Sequence, residues 1–356
     1  MWRSLQKTMN TRSASLLAAA AVAACLPAFS RAAAANTNKP VKVFILAGQS
    51  NMEGKAKVSL LEWQAGQPAT RELFARFRYD GRWIEREDVW IKFLERKGRL
   101  TVGFGSPGCI GPELAFGWTV GDRFDEPVLL IKTAWGGRSL WRDFRPLGAG
   151  LPAPAVLEKM LTQERKRKPE ASLEDIRNPF GASYRAMLDE VNGALANLKD
   201  LVPSYNGQGW ELAGFIWFQG WNDMIDADHT AEYTANLVHF IRDARKDLRS
   251  PRLPFVIGQM GVDGTNANAN IQRFKAAQAA VMRLEEFAGN VALVKTDVFW
   301  DIEADAVYRK GWREHRQEWD KVGSDWPFHY LGSARTLCAI GQAMGEAALA
   351  LRPADR

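Results

Sequence analysis

The sequence predicts an α/β domain: a parallel sheet with helices on both faces. Five short apolar runs suit buried parallel strands, and segments of helical periodicity fall between or after them. The first run, Val41–Ala47, is β-branched and aromatic, stops at Gly48 and feeds into Gln49-Ser50-Asn51-Met52. The second, Pro127–Lys132, leads to Thr133-Ala134-Trp135-Gly136-Gly137. A helix is expected over Tyr184–Leu198, then a third strand over Leu212–Phe218 that opens into Gln219-Gly220-Trp221-Asn222-Asp223. Helix Ala231–Leu248, strand Pro254–Met260, helix Asn270–Phe287 and strand Val291–Val298 follow. The last helix, Ala334–Leu351, carries Leu337, Ile340, Met344, Ala347 and Leu351 on one stripe, with Ser333 placed to cap it. Residues 55–126 and 138–180 fit neither period and read as insertions beyond strand ends. No internal repeat follows the leader, so residues 36–356 are expected to form a single domain.

The net charge of +6 suggests an anionic partner until its distribution is examined. Arg3, Lys7, Arg12 and Arg31 supply four of those charges within a 35-residue segment that lacks Asp and Glu. The run Arg165-Lys166-Arg167-Lys168 is flanked by Glu164 and Glu170, which suits a solvated face better than a nucleic-acid patch. No nucleic-acid partner is expected. Residues 1–35 read as a secretory signal, with a basic start, an apolar core over Leu16–Ala24 and small residues after it. That core is too short to span a bilayer. Two processing routes stand: cleavage within Ala32–Ala35, or lipid attachment at Cys25, since Val22-Ala23-Ala24-Cys25 resembles a bacterial lipoprotein box. Either places the mature chain outside the cytoplasm, as a periplasmic, secreted or lipid-anchored protein. Cys109 and Cys338 then remain, as a disulfide or as two buried thiols.

Several familiar sites are absent. Gly48–Ala56 follows a strand and contains Gly54-Lys55, but five residues separate its glycines and Ala56 supplies no hydroxyl, so it is not a Walker A loop. The Rossmann glycine pattern and Gly-x-Ser-x-Gly are missing, and His229, His239, His315 and His329 lack metal-ligand spacing. No cofactor or metal is expected.

What remains at the strand ends suits acyl transfer. Ser50 offers a hydroxyl that needs a base. His329, just before the last helix, can reach over the sheet, and Asp325 can orient its imidazole. The backbone of Ser50, Gly136 and Gly137 and the amide of Asn222 can form an oxyanion hole. Fourteen tryptophans, many of them in the irregular stretches, offer faces for sugar rings, and two or three are expected to touch substrate.

With these four blocks the chain resembles the SGNH hydrolases, most closely the branch holding the sialate O-acetylesterase domain and the family 6 acetylxylan esterases. Gly48-Gln49-Ser50-Asn51-Met52 matches that branch's nucleophile signature, Trp135-Gly136-Gly137 its second block, and Gly220-Trp221-Asn222-Asp223 the Gly-x-Asn-Asp block. The resemblance runs from about residue 41 to 350. It implies a three-layer α/β/α sandwich with a five-stranded parallel sheet in the order 2-1-3-4-5, and a serine esterase acting on an acetylated oligo- or polysaccharide without a cofactor. Two departures stand out. Trp221 occupies a position where family 6 enzymes usually carry glutamate, and Asp325 lies four residues before His329 where the superfamily spaces them by three. The acid can therefore be Asp325, Asp223, or none, with a Ser–His dyad held by a backbone carbonyl. A lipase or thioesterase of the same superfamily, or a weakly catalytic carbohydrate-binding protein, are the competing readings.

Overall fold

The computed structural model describes residue 36 and residues 38–351; the expected signal segment and Cys25 lie outside the described residues. A mostly parallel sheet runs through the centre, in chain order β1 (Val41–Gly48), β2 (Val89–Phe93), β3 (Arg96–Arg99), β4 (Val128–Ala134), β5 (Trp210–Phe218), β6 (Phe255–Gln259) and β7 (Val291–Lys295). Its spatial order is β7-β6-β5-β1-β4-β2-β3, and only β3 pairs antiparallel. The five strands expected from sequence keep the expected order, here β4-β1-β5-β6-β7.

The sheet has seven strands among the described residues, correcting the expected five. Both additions lie in the stretch 55–126, read from sequence as irregular. They form a hairpin whose two-residue turn, Leu94-Glu95, contains no glycine or asparagine, although Leu94 sits at φ +51°. The usual hairpin signal is therefore missing. The outer strand β3 reads Arg-Lys-Gly-Arg, with nothing apolar to mark a strand. Those charges suit an edge, where they discourage pairing with a second sheet.

Helices cover both faces, as alternating side chains along the strands require. On one face lie α1 (Glu113–Gly121) and α5 (Ala334–Ala350); Phe44 of β1 meets Phe116 of α1 edge to face at 5.4 Å. Ser333 caps α5 by accepting from Thr336 N–H. On the other face lie α2 (Ala182–Ala196), α3 (Ala227–Asp247) and α4 (Ala269–Ala280). Phe240 of α3 packs on Phe215 and Trp217 of β5 and on Phe255 of β6, with centroids 5.8, 4.3 and 6.1 Å apart. Buried on both sides, β1 and β4 are apolar along most of their length. Residues 138–180 contribute helices Pro154–Glu164 and Leu173–Arg177, which close a separate apolar cluster around Trp141, Leu157, Leu161 and Phe180. Among the described residues no helix is long and apolar enough to cross a membrane.

Candidate active site

Strand register alone brings three of the sequence blocks together. Gly48 of β1 pairs with Ala134 of β4 on one side and Phe218 of β5 on the other. Two residues beyond each lie Ser50, Gly136 and Gly220. Gly48 must be glycine, because a Cβ there would fall 2.1 Å from the Phe218 carbonyl oxygen. Ser50 begins a one-turn helix, Ser50–Glu53, and is buried, with 6% of its surface exposed. Gly136 faces it: a methyl on that α-carbon would stand 3.9 Å from Ser50 Cβ. Ser50 and Gly136 N–H have no acceptor among the described residues.

Gln49 holds the third block in place. Its Oε1 accepts from Gln219 Nε2 at 3.1 Å and Gly220 N–H at 3.0 Å, and its Nε2 donates to Asn222 Oδ1 at 3.0 Å. Because the Asn222 oxygen is used as acceptor, its NH2 is left pointing elsewhere, without an acceptor among the described residues. Asp223 is fully buried. It accepts from Leu140 N–H, Trp141 N–H and Gln219 Nε2, at 2.9, 2.8 and 2.6 Å. Burial pushes its pKa up to about 7, against the pull of those hydrogen bonds. Its carboxyl is committed to the segment after Gly136-Gly137.

His329 lies on a short turn, Pro327–Gly332, just before α5. Its Nδ1 is 2.9 Å from Asp325 Oδ1, an oxygen that also accepts from Trp326 N–H at 2.6 Å. Burial raises the Asp325 pKa, but the hydrogen bonds from His329 and Trp326 and the nearby positive charge outweigh it, and the carboxyl sits below its ordinary range. Asn51 Nδ2 donates to the Phe328 carbonyl at 3.1 Å, tying this turn to the Ser50 helix. Ser50 Oγ and His329 Nε2 have no hydrogen-bond partner among the described residues. After His329 the chain makes three successive left-handed residues, Tyr330, Leu331 and Gly332, at φ +52°, +61° and +57°. Such a conformation costs about 1 kcal/mol or more at each non-glycine position. It is held by Tyr330, whose hydroxyl accepts from Gly261 N–H at 2.8 Å and lies 2.6 Å from Thr296 Oγ1.

A buried ion pair supports the nucleophile turn from below. Lys132 of β4 donates to Glu113 Oε2 of α1 at 2.7 Å and to the carbonyls of Glu53 and Phe104, both at 2.8 Å. Both side chains have no exposed surface, and burial lowers the Lys132 pKa against the pull of Glu113. Glu113→Ala would strand that ammonium in the core. We expect a stability loss of about 3–5 kcal/mol by chemical denaturation, only partly recovered in the double variant Glu113→Ala/Lys132→Met, which removes the stranded charge but leaves the Glu53 and Phe104 carbonyls and Gly111 N–H without those partners.

Ser50, Gly136 and Asn222 thus lie just beyond the carboxyl ends of β1, β4 and β5, and the turn that carries the His329–Asp325 pair is tied to the Ser50 helix through Asn51; a Cβ added at Gly137 would meet no neighbour within 4 Å. Asp223 lies beneath, turned to residues 140 and 141. Reasoning from sequence missed Gln49, Gln219, Lys132, Glu113 and Tyr330 as supports. A glutamine inside the nucleophile block was the one available signal. Cys109 and Cys338 are free and buried. Among the described residues no three His, Cys, Asp or Glu side chains converge on a metal-sized site.

Among solved structures, a protein from Arabidopsis thaliana shares the fold at a TM-score of 0.50 and 17% identity, over 87% of this chain and 98% of that one. A carbohydrate acetylesterase from Xanthomonas citri aligns at 0.41 and 15% identity over 71% of this chain and 49% of that one, and NanS at 0.43 and 16% over 72% and 77%. Among curated proteins none matches the sequence. The family described as carbohydrate esterase, sialic acid-specific acetylesterase, matches residues 40–305, a span that contains the Ser50, Gly136 and Asn222 blocks. The chain belongs to that family of carbohydrate esterases.

Proposed function

We propose that this esterase removes O-acetyl groups from a carbohydrate through an acyl-enzyme on Ser50. The observation that carries the reading is the His329–Asp325 contact on a turn bonded, through Asn51, to the helix that begins at Ser50. An ionised Asp325 accepts from His329 Nδ1–H and leaves Nε2 as the base. His329 Nε2 takes the Ser50 proton while Oγ attacks the acetyl carbonyl. The resulting oxyanion sits among the N–H groups of Ser50 and of Gly136 or Gly137 and the Asn222 amide. The imidazolium protonates the departing sugar oxygen, and the sugar leaves as the alcohol. Water, deprotonated by His329, then attacks the acetyl-serine; acetate departs and Ser50 regains its proton. In free enzymes the serine–histidine hydrogen bond is often long and tightens once substrate excludes water, which suits the open Oγ and Nε2 here. Residues 1–35 add an export signal to this reading, for a protein working in the periplasm or outside the cell, free or lipid-anchored.

The test is acetate release from a panel of acetylated polysaccharides, run with labelling by a fluorophosphonate and identification of the modified residue. Hydrolysis with the label on Ser50 supports the reading, and a label elsewhere ends it. Asn222→Ala should lower kcat by about 10²- to 10³-fold with little change in KM. A change confined to KM would remove Asn222 from the oxyanion site.

A further inference from the structure

An aromatic shelf leads away from His329. Phe328 lies 4.5 Å from the imidazole and 5.4 Å from Trp221. Trp326 is parallel to Phe328, at 6.3 Å and 7°, and Trp312 meets Trp326 edge-on at 6.1 Å. Trp326 keeps 43% of its surface exposed. Part of the Trp326 indole is thus left in water beside the turn that carries His329, where a sugar ring could pack against it. Arg313 closes the far end. Its guanidinium stands 4.9 Å from the Trp312 ring and 5.9 Å from the Trp326 ring. It makes no hydrogen bond or ion pair among the described residues, in contrast to Arg316, which donates to Asp320 at 2.9 Å.

Resting on the carbohydrate esterase reading above, we infer that this shelf is a sugar subsite and that Arg313 selects glycans bearing an anionic group there. A pyranose presents its C–H face to Trp326, and a carboxylate or sulfate on that ring meets the guanidinium fork. The two indoles restrict the guanidinium before ligand arrives, so less freedom is lost on binding. Neutral sugars can stack but leave Arg313 unused. Selection therefore operates on the charge of the glycan, separately from the ester bond that is broken.

The experiment is calorimetric titration of the full chain with three unacetylated ligands: a neutral galactose trisaccharide, its uronic-acid form and its 6-sulfated form. At least one acidic form should bind about tenfold more tightly than the neutral one, and which one does so separates carboxylate from sulfate recognition. Arg313→Gln should bring the acidic and neutral affinities together, and Arg313→Lys should restore part of the difference. Trp326→Ala should weaken all three. Equal binding of acidic and neutral forms by the unmodified protein, an acidic preference that survives Arg313→Gln, or no binding of any of the three would each overturn the subsite. Hydrolysis of p-nitrophenyl acetate by the unmodified protein is measured alongside. Its absence would count against the esterase reading, while the titrations decide the subsite.

Discussion

Ser50→Ala is expected to cut the kcat for p-nitrophenyl acetate by about 10⁴-fold or more, with the melting temperature held. The size follows from the chemistry: without the hydroxyl no acyl-enzyme forms, and only binding and the oxyanion donors remain to assist water. The unchanged melt follows from the structure. Ser50 Oγ has no partner among the described residues, so the variant removes no hydrogen bond that holds the fold. The turn is fixed instead by Asn51, by Gln49 and by Lys132 on the Glu53 carbonyl. Activity at the unmodified level would reject Ser50 as nucleophile. A collapse of the melt together with activity would show that the residue is structural.

The second large effect separates two carboxylates. Asp325→Asn should lower kcat by about 10³- to 10⁴-fold, because an amide in place of the carboxylate favours the wrong imidazole tautomer and does not stabilise the imidazolium. The side chain is a quarter exposed, and an asparagine oxygen can still accept from Trp326 N–H, so stability should change little. Asp223→Asn should act the other way. Three donors converge on that buried carboxyl, and an NH2 in place of one oxygen would face a donor, with a stability loss of about 1–3 kcal/mol. Urea denaturation and steady-state kinetics on the two variants read the difference directly. If Asp223→Asn is stable and inactive while Asp325→Asn is active, the assignment of the acid is reversed.

The local sequence by itself determined the strand–turn chemistry. A buried parallel strand needs a nearly continuous apolar run, and Val41–Gly48 and Val128–Ala134 announce themselves that way; a serine, two glycines and an asparagine follow the strands where a sheet offers its carboxyl edge. The order of the five expected strands was legible only through the resemblance, since strand neighbours are not encoded by period. The hairpin Val89–Arg99 stayed hidden because its edge strand is charged and its turn lacks the usual residues. Tertiary structure alone decided which partners the polar groups took. Asp223 and Asp325 are indistinguishable as residue types; burial against residues 140 and 141 commits one to the fold, and a left-handed turn locked by Tyr330 sets His329 against the other. Hydrogen bonds between residues far apart in the chain depend on where the packed core places them, and a linear pattern does not carry that information.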